Sequence, residues 1–194
     1  MSDSTMFQSE RLSLRAFEPP DVDGLHAMFN HPSLAGRRYL PWGFPGELPL
    51  SRQQVEKAVE KWSGEERGAH LAVTLKESGD LIGHAGMGWG WDPHCPDVVL
   101  VIDPAHQRQG FGSETLDTLL RYLFENTPAH NVSAWMADWN QAARAFTQKH
   151  GFQECGRWRR DGLRQGKYYD TVQVDLLRPE WLARQREVGH GAGR

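Results

Sequence analysis

The chain has 194 residues, enough to bury about 70% of its unfolded surface and to fold without disulfides or a structural metal. With 39% hydrophobic and 24% charged residues it falls in the globular range, and a net charge of -3 argues against a protein that wraps nucleic acid. No apolar run is long enough to span a membrane, Met1-Ser2-Asp3-Ser4-Thr5 lacks the pattern of a signal peptide, and Cys95 and Cys155 have no paired spacing, so a single cytoplasmic domain is expected. Arg11–Arg15 alternates apolar and polar residues, which predicts a strand with Leu12 and Leu14 on one face. Pro19-Pro20 stops it, and Asp21 is the expected N-cap of a helix carrying Val22, Leu25 and Phe29 on one side. Residues 36–50 combine glycines and prolines with Tyr39, Trp42 and Phe44, the composition of an irregular loop that packs on something. A second helix follows from Ser51, its apolar stripe Val55, Val59 and Trp62.

Strand signals come next. Leu71, Val73 and Leu75 alternate, and Leu81-Ile82 opens a strand interrupted by Gly83, Gly86, Gly88 and Gly90, a sign of bulging or of close approach by another backbone. Val98–Ile102 is unbroken apolar sequence, as for a strand covered on both faces, and Pro104 ends it. From Gly110 a helix carries Leu116, Leu119, Leu120 and Leu123 on one face. Val132–Met136 reads as a strand, and residues 141–150 as a short helix with Ala142, Ala145, Phe146 and Lys149 on one side, closed by Gly151. Phe152–Trp158 and Tyr168–Leu177 are the last strands, joined around Asp161-Gly162. The structured core is expected over residues 8–181 of a single domain spanning 1–194, with a frayed tail over 182–194. The order β-α-α-β-β-β-α-β-α-β-β calls for an α/β fold (mixed α+β) in which helices flank a mixed central sheet with a parallel centre.

One segment carries recognisable chemistry. Gln107-Arg108-Gln109-Gly110-Phe111-Gly112 links the buried strand to the leucine-striped helix. Glycines there let main-chain N–H groups converge at a helix N-terminus, whose unpaired donors and partial positive charge suit a phosphate; Arg108 adds a cation. The glycines alone serve a tight turn equally well, and the segment is neither a nucleotide P-loop nor a dinucleotide fingerprint.

With its flanks the segment says more. A strand ending Ile102-Asp103-Pro104, then Gln-x-x-Gly-x-Gly at 107–112, then a helix, resembles the acyl-CoA motif of the GNAT (GCN5-related) N-acetyltransferase family. Asn140 and Gly151-Phe152 match that family's Asn-containing helix and its ending. Glu10-Arg11-Leu12-Ser13-Leu14-Arg15, together with the stretch from Asp161-Gly162 through Lys167-Tyr168-Tyr169-Asp170 to Glu180-Trp181, looks like the RimJ/RimL-like branch, which modifies ribosomal-protein N-termini. The resemblance implies the GNAT fold, acetyl-CoA as co-substrate and transfer of its acetyl group to a primary amine by direct attack. It places the pyrophosphate on the N–H groups of residues 108–113 (Arg108, Gln109, Gly110, Phe111, Gly112 and Ser113), with Gln107 leading in. The pantetheine arm would lie along Val101 and Ile102, where neighbouring strands splay, with Asn140 beside it.

The match has departures. The branch often has Ser three residues after the Asn, where this chain has Ala143; other members place a Tyr proton donor seven residues after it, where this chain has Thr147. Thiolate protonation is therefore left to water or Thr147, or is dispensable, since a thiol of pKa near 8.5 is a tolerable leaving group. Asp97 stands where the branch commonly carries Glu and is the first candidate base; a solvated strand-end carboxylate is its bland alternative. His94 is the second, with an ordinary pKa near neutrality. At pH 7 a lysine amine (pKa ~10.4) costs about 4.6 kcal/mol to deprotonate and an α-amine (near 7.8) only about 1 kcal/mol, so a modest base suffices for the latter. A protein N-terminal α-amine is accordingly the first expected acceptor and a small-molecule amine the second, with a non-catalytic acyl-CoA binder as a third reading. Tyr39, Trp42, Trp89 and Trp91 could line an acceptor pocket, or a core or subunit contact; Asp138 could reach the amine. Arg157, Arg159, Arg160, Arg164 and Lys167 form a basic hairpin suited to an acidic acceptor, to a CoA phosphate or simply to solvent. No metal, membrane or nucleic-acid partner is expected; the chain is read as a monomer or homodimer.

Overall fold

The computed structural model describes residues 7–34, 49–90 and 92–191, with side chains to residue 187. Tyr39, Trp42 and Trp91 lie outside the described residues, as does most of the 36–50 loop. Among the described residues seven strands form one mixed sheet in the order β1-β2-β3-β4-β5-β7-β6. In chain order the elements are β1 (Leu12–Ala16), α1 (Asp21–Phe29), α2 (Arg52–Ser63), β2 (Gly68–Leu75), β3 (Leu81–Gly88), β4 (Asp97–Ile102), α3 (Phe111–Asn126), β5 (Asn131–Ala137), α4 (Gln141–Lys149), β6 (Gln153–Arg164), β7 (Lys167–Leu177) and α5 (Arg178–Gly191). Among the described residues no helix is long and apolar enough to cross a membrane.

Two apolar clusters cover the two sheet faces. On one, α1 and α2 place Val22, Leu25, Phe29, Val55, Val59 and Trp62 with Val101 of β4. On the other, Leu116, Leu119, Leu120 and Leu123 of α3 pack with Val98, Ile102, Val132, Met136, Val172 and Leu176. The alternation of β4 follows from this arrangement: Val98 and Ile102 face α3, while Val101 faces α1 and α2, and Asp97 and Val99 share its face. Ser51 opens α2 through a capping box with Gln54, so two otherwise orphaned backbone donors are paired. Under the α2 helix, Nδ1 of His70 lies 2.9 Å from Nε2 of His84, and the Trp62 indole lies flat over both rings at 4.6 and 4.7 Å. Burial holds both imidazoles neutral, at pKa values of about 4 for His70 and about 3 for His84, because there is little water to solvate the cation.

The central joint of the sheet is almost open. Strands β4 and β5 are parallel, yet their ladder has a single rung, Asp97 against Ser133. Beyond it the strands diverge toward their C-terminal ends. Every other neighbouring pair is antiparallel with several rungs.

Several expectations need correction. Asp21 is the first residue of α1, not its cap; its carboxylate is held by Arg15 at 2.7 and 2.9 Å and by the Glu18 N–H. The inward stripe of α4 is Ala143, Phe146 and Thr147, while Ala142 and Ala145 are exposed; a helix this short and polar leaves its phase open. Its ending is as expected: Gly151 has φ 90°, and the Gly151 and Phe152 N–H groups close back on Gln148 and Thr147 in the two-bond pattern of a left-handed helix end. The last hairpin turns at Gln165-Gly166 (φ 50° and 73°), whereas Asp161-Gly162 lies in a register shift within β6, with Arg160 at φ 52°. This two-residue turn is left-handed at both positions, as in type I′, and Gln-Gly is a weaker signal for that than Asp-Gly. The tail after Trp181, expected to fray, continues as α5 to Gly191.

Candidate active site

The loop after β4 is shaped by main-chain conformation. Arg108 has φ 64° and Gly110 φ 89°, both left-handed, and α3 starts immediately after with no side-chain cap at its N-terminus. The first helical bond runs from Glu114 N–H to the Gly110 carbonyl, so the Phe111, Gly112 and Ser113 N–H groups lie ahead of it in the first turn, at the positive end of a 16-residue helix. The side chains of Gln107 and Gln109 face the chain itself: they donate to the carbonyls of Ile102 (2.8 Å) and Ala105 (3.1 Å) and brace the loop. Ser113 Oγ is 3.0 Å from His150 Nε2, which ties α3 to the end of α4.

A brace from the other end of the chain was not foreseen from sequence. Arg11, beside β1, donates from Nε to Glu114 at 2.8 Å and from Nη1 to the Gln109 carbonyl at 3.1 Å, and its guanidinium lies 4.4 Å above the Phe111 ring. Its backbone N–H and Ser9 Oγ reach the same carboxylate at 2.7 and 2.6 Å. Burial opposes ionisation of Glu114, but the bonds from Ser9 and Arg11 outweigh it and keep the carboxyl below its usual range. The only sequence signal was an acidic residue in a first helical turn; its partners lie about a hundred positions away.

The base candidates separate. Asp97 sits at the one rung joining β4 to β5, opposite Gly88 on β3, and burial pushes its carboxyl above the ordinary range. His94 is exposed and turned to Asp92, its Nδ1 3.0 Å from Oδ1, while its carbonyl accepts from the His130 N–H. Thr147 is buried with its hydroxyl 3.1 Å from the Ala143 and Arg144 carbonyls, committed to its own helix. Asn140 is also buried and caps α4, its Oδ1 accepting from Ala143 N–H at 3.3 Å. Val101 and Ile102 line the diverging end of β4 on opposite faces. Trp89 is half-buried and packs against the α3-side cluster, on the face opposite Asp97. Asp138 is half-buried, 3.9 Å from Arg157. Among the described residues no group of three or more His, Cys, Asp and Glu side chains could hold a metal ion.

The comparisons with known proteins agree with this architecture. The acetyltransferase (GNAT) domain model matches residues 11–153. An uncharacterized N-acetyltransferase of Bacillus subtilis, YoaA, is 25% identical over 175 residues, covering 90% of this chain and 97% of that protein. The putative ribosomal N-acetyltransferase YdaF of the same organism is 25% identical over 177 residues, covering 89% and 94%. Among solved structures, a GNAT-family acetyltransferase from Bacillus anthracis superposes with a TM-score of 0.76 at 21% identity, covering 90% of this chain and 99% of that one. Spermidine N-acetyltransferase from Vibrio cholerae, in complex with CoA and spermine, gives 0.75 at 22%, with the same coverage. A sheet that parts after one central rung, a bare helix terminus beyond it and a family model spanning most of the chain agree: this protein belongs to the acetyltransferase (GNAT) domain family and is an N-acetyltransferase.

Proposed function

We propose that the chain transfers an acetyl group from acetyl-CoA to a protein N-terminal α-amine, in the manner of the RimJ/RimL-like branch. The observation that carries the reading is Asp97: a carboxyl raised by burial, placed at the rung where β4 and β5 part. A carboxylate is a modest base, enough for an α-amine and poorly matched to a lysine amine. The 25% identity to a putative ribosomal N-acetyltransferase supports the same choice.

The donor side fits a nucleotide thioester on the chain's own features. An uncapped helix terminus with two left-handed residues before it presents main-chain donors to an anion, and the diverging strands leave the inner edge of β4 accessible. In this reading the N–H groups of residues 108–113 hold the pyrophosphate, Arg108 adds its charge, Val101 and Ile102 run beside the pantetheine arm, and Asn140 flanks it. The bound thioester supplies an acyl group activated toward a neutral amine. Asp97 accepts the proton of the incoming ammonium at a carboxylate oxygen, directly or through water. Thr147 is not needed as an acid, because a thiol of pKa near 8.5 leaves without one.

The test is release of free CoA thiol in the presence of acetyl-CoA and an amine panel: peptides with free N-termini, the same peptides N-terminally blocked but bearing lysine, and spermidine. Turnover of the free N-termini alone is expected. Turnover confined to spermidine, or absent from every free N-terminus, overturns the acceptor assignment.

A further inference from the structure

We infer that the exposed cations of the β6–β7 hairpin make this enzyme select acceptor N-termini followed by acidic residues. The inference rests on the α-amine reading above and adds what lies downstream of that amine.

The hairpin is placed to do this. Ala137 against Thr171 is the last rung between β5 and β7, so residues 159–170 continue past the C-terminal end of β5, the end toward which β4 and β5 diverge. The route there is aromatic. Trp135 lies two residues beyond Ser133 on β5, on the face shared by Ser133 and Asp97, and stacks on Trp158 of β6 with ring centres 4.8 Å apart. Trp158 is 57% exposed on the face it shares with Trp135, while Leu163 (61%) and Tyr168 (67%) pair on the opposite face of the hairpin.

Its charge is one-sided. Residues 157–167 carry Arg157, Arg159, Arg160, Arg164 and Lys167 against Asp161 alone, in a chain of net charge -3. Three of these cations have work within the fold: Arg157 pairs with Glu154 at 2.9 Å and Asp170 at 3.2 Å, Arg164 lies over the Trp139 ring at 3.9 Å, and Arg160 lies over the Tyr168 ring at 5.8 Å. Asp161 accepts from the Thr171 hydroxyl. Arg159, Arg160 and Lys167 are exposed, and no ion pair holds any of the three among the described residues; Arg159 and Arg160 line one surface hollow. The shift in β6 that presents Arg160 is fixed, with its N–H donated to Asp170 at 2.9 Å. An aromatic pair beside exposed cations that no ion pair holds complements an extended segment whose carboxylates follow its reactive N-terminus, and it repels a polycation.

The experiment uses the full chain and peptides that share their first two residues and carry acidic, neutral or basic residues at positions three to six. We expect kcat/KM to fall about tenfold from acidic to neutral, as two or three exposed ion pairs would give, and further for basic peptides. The acidic advantage shrinks as salt is raised. The double variant Arg159→Glu/Arg160→Glu reverses the ranking while KM for acetyl-CoA stays at its wild-type value. Lys167→Glu, beside the turn, moves the ranking the same way by less and serves if the double variant misfolds. Turnover of all peptides without a charge preference overturns the inference and leaves the α-amine reading standing. An unchanged peptide ranking with a raised KM for acetyl-CoA assigns the arginines to the donor's phosphates and also overturns it. No turnover on any free N-terminus removes the α-amine reading first, and the inference with it.

Discussion

The two sides of this site are built in different ways. The donor side proposed above is a stretch of backbone: left-handed residues at 108 and 110, a bare helix terminus, and side chains that brace the loop from behind. The proposed acceptor side is a set of side chains from β4, β5 and the last hairpin: Asp97, Trp135, Trp158 and the exposed cations. A main-chain cradle binds what every member of a family binds, because it depends on conformation and little on residue type. A side-chain wall can differ between relatives that share the cradle. That division explains how a shared fold at 22% identity can be found around a spermidine enzyme without settling this chain's acceptor.

The largest expected effect separates the two sides at Asp97. Asp97→Asn should lower kcat/KM by about 10² to 10⁴ and remove the acid limb of its pH profile, with CoA affinity by calorimetry unchanged. The variant should also be more stable at neutral pH. The folded-state pKa of Asp97 is raised, so its carboxyl favours the fold while protonated, and that contribution is lost as pH climbs through the raised value; asparagine never pays it. Thermal melting at pH 7 that shows no gain, with full activity retained, would return Asp97 to an ordinary strand-end carboxylate.

Gly110→Val strikes the other side. At φ 89° a β-branched residue is strained, and its Cβ would stand 3.2 Å from the Arg11 guanidinium that braces the loop. CoA should bind at least tenfold more weakly, while the ranking of peptide acceptors at saturating donor is kept. Equal CoA affinity in this variant breaks the donor half of the comparison.

The smallest effect lies beneath both. His70 and His84 have lowered pKa values, so their neutral pairing contributes stability that is fully present above the unfolded value near 6.5 and is lost as pH falls toward about 4 and about 3. Denaturant unfolding should show stability declining below pH 6.5, by up to about 1.4 kcal/mol per pH unit for the buried His84. In the double variant His70→Gln/His84→Leu that slope should be gone.

How much of this was legible in the sequence follows from the same division. The strand–turn–helix around residues 102–116 could be read because its determinants are consecutive: a buried strand, a proline, two glycines and a leucine-striped helix. The element order could be read because each strand and most helices carry their own period. What escaped depends on contacts that sequence spacing does not encode. Arg11 meets Glu114 only after β1 has crossed to the edge of the sheet. The side of the sheet that Trp89 packs on follows from the alternation of β3, fixed by Met87, which faces α3. Trp158 drew no attention because its partner, Trp135, sits on another strand. Asn140 and Thr147 had expected chemical roles, and the structure gives both of them helix-terminus or helix-backbone bonds as well.

The single rung between β4 and β5 has a further consequence. Unzipped strands are normally a hazard, because exposed edges recruit neighbouring molecules into intermolecular sheets. Here the two bare margins confront each other inside one molecule and converge on Asp97 and Ser133 as a wedge. A second folded protein is too broad to enter such a fissure, so the edges that β4 and β5 leave unpaired do not seed aggregation.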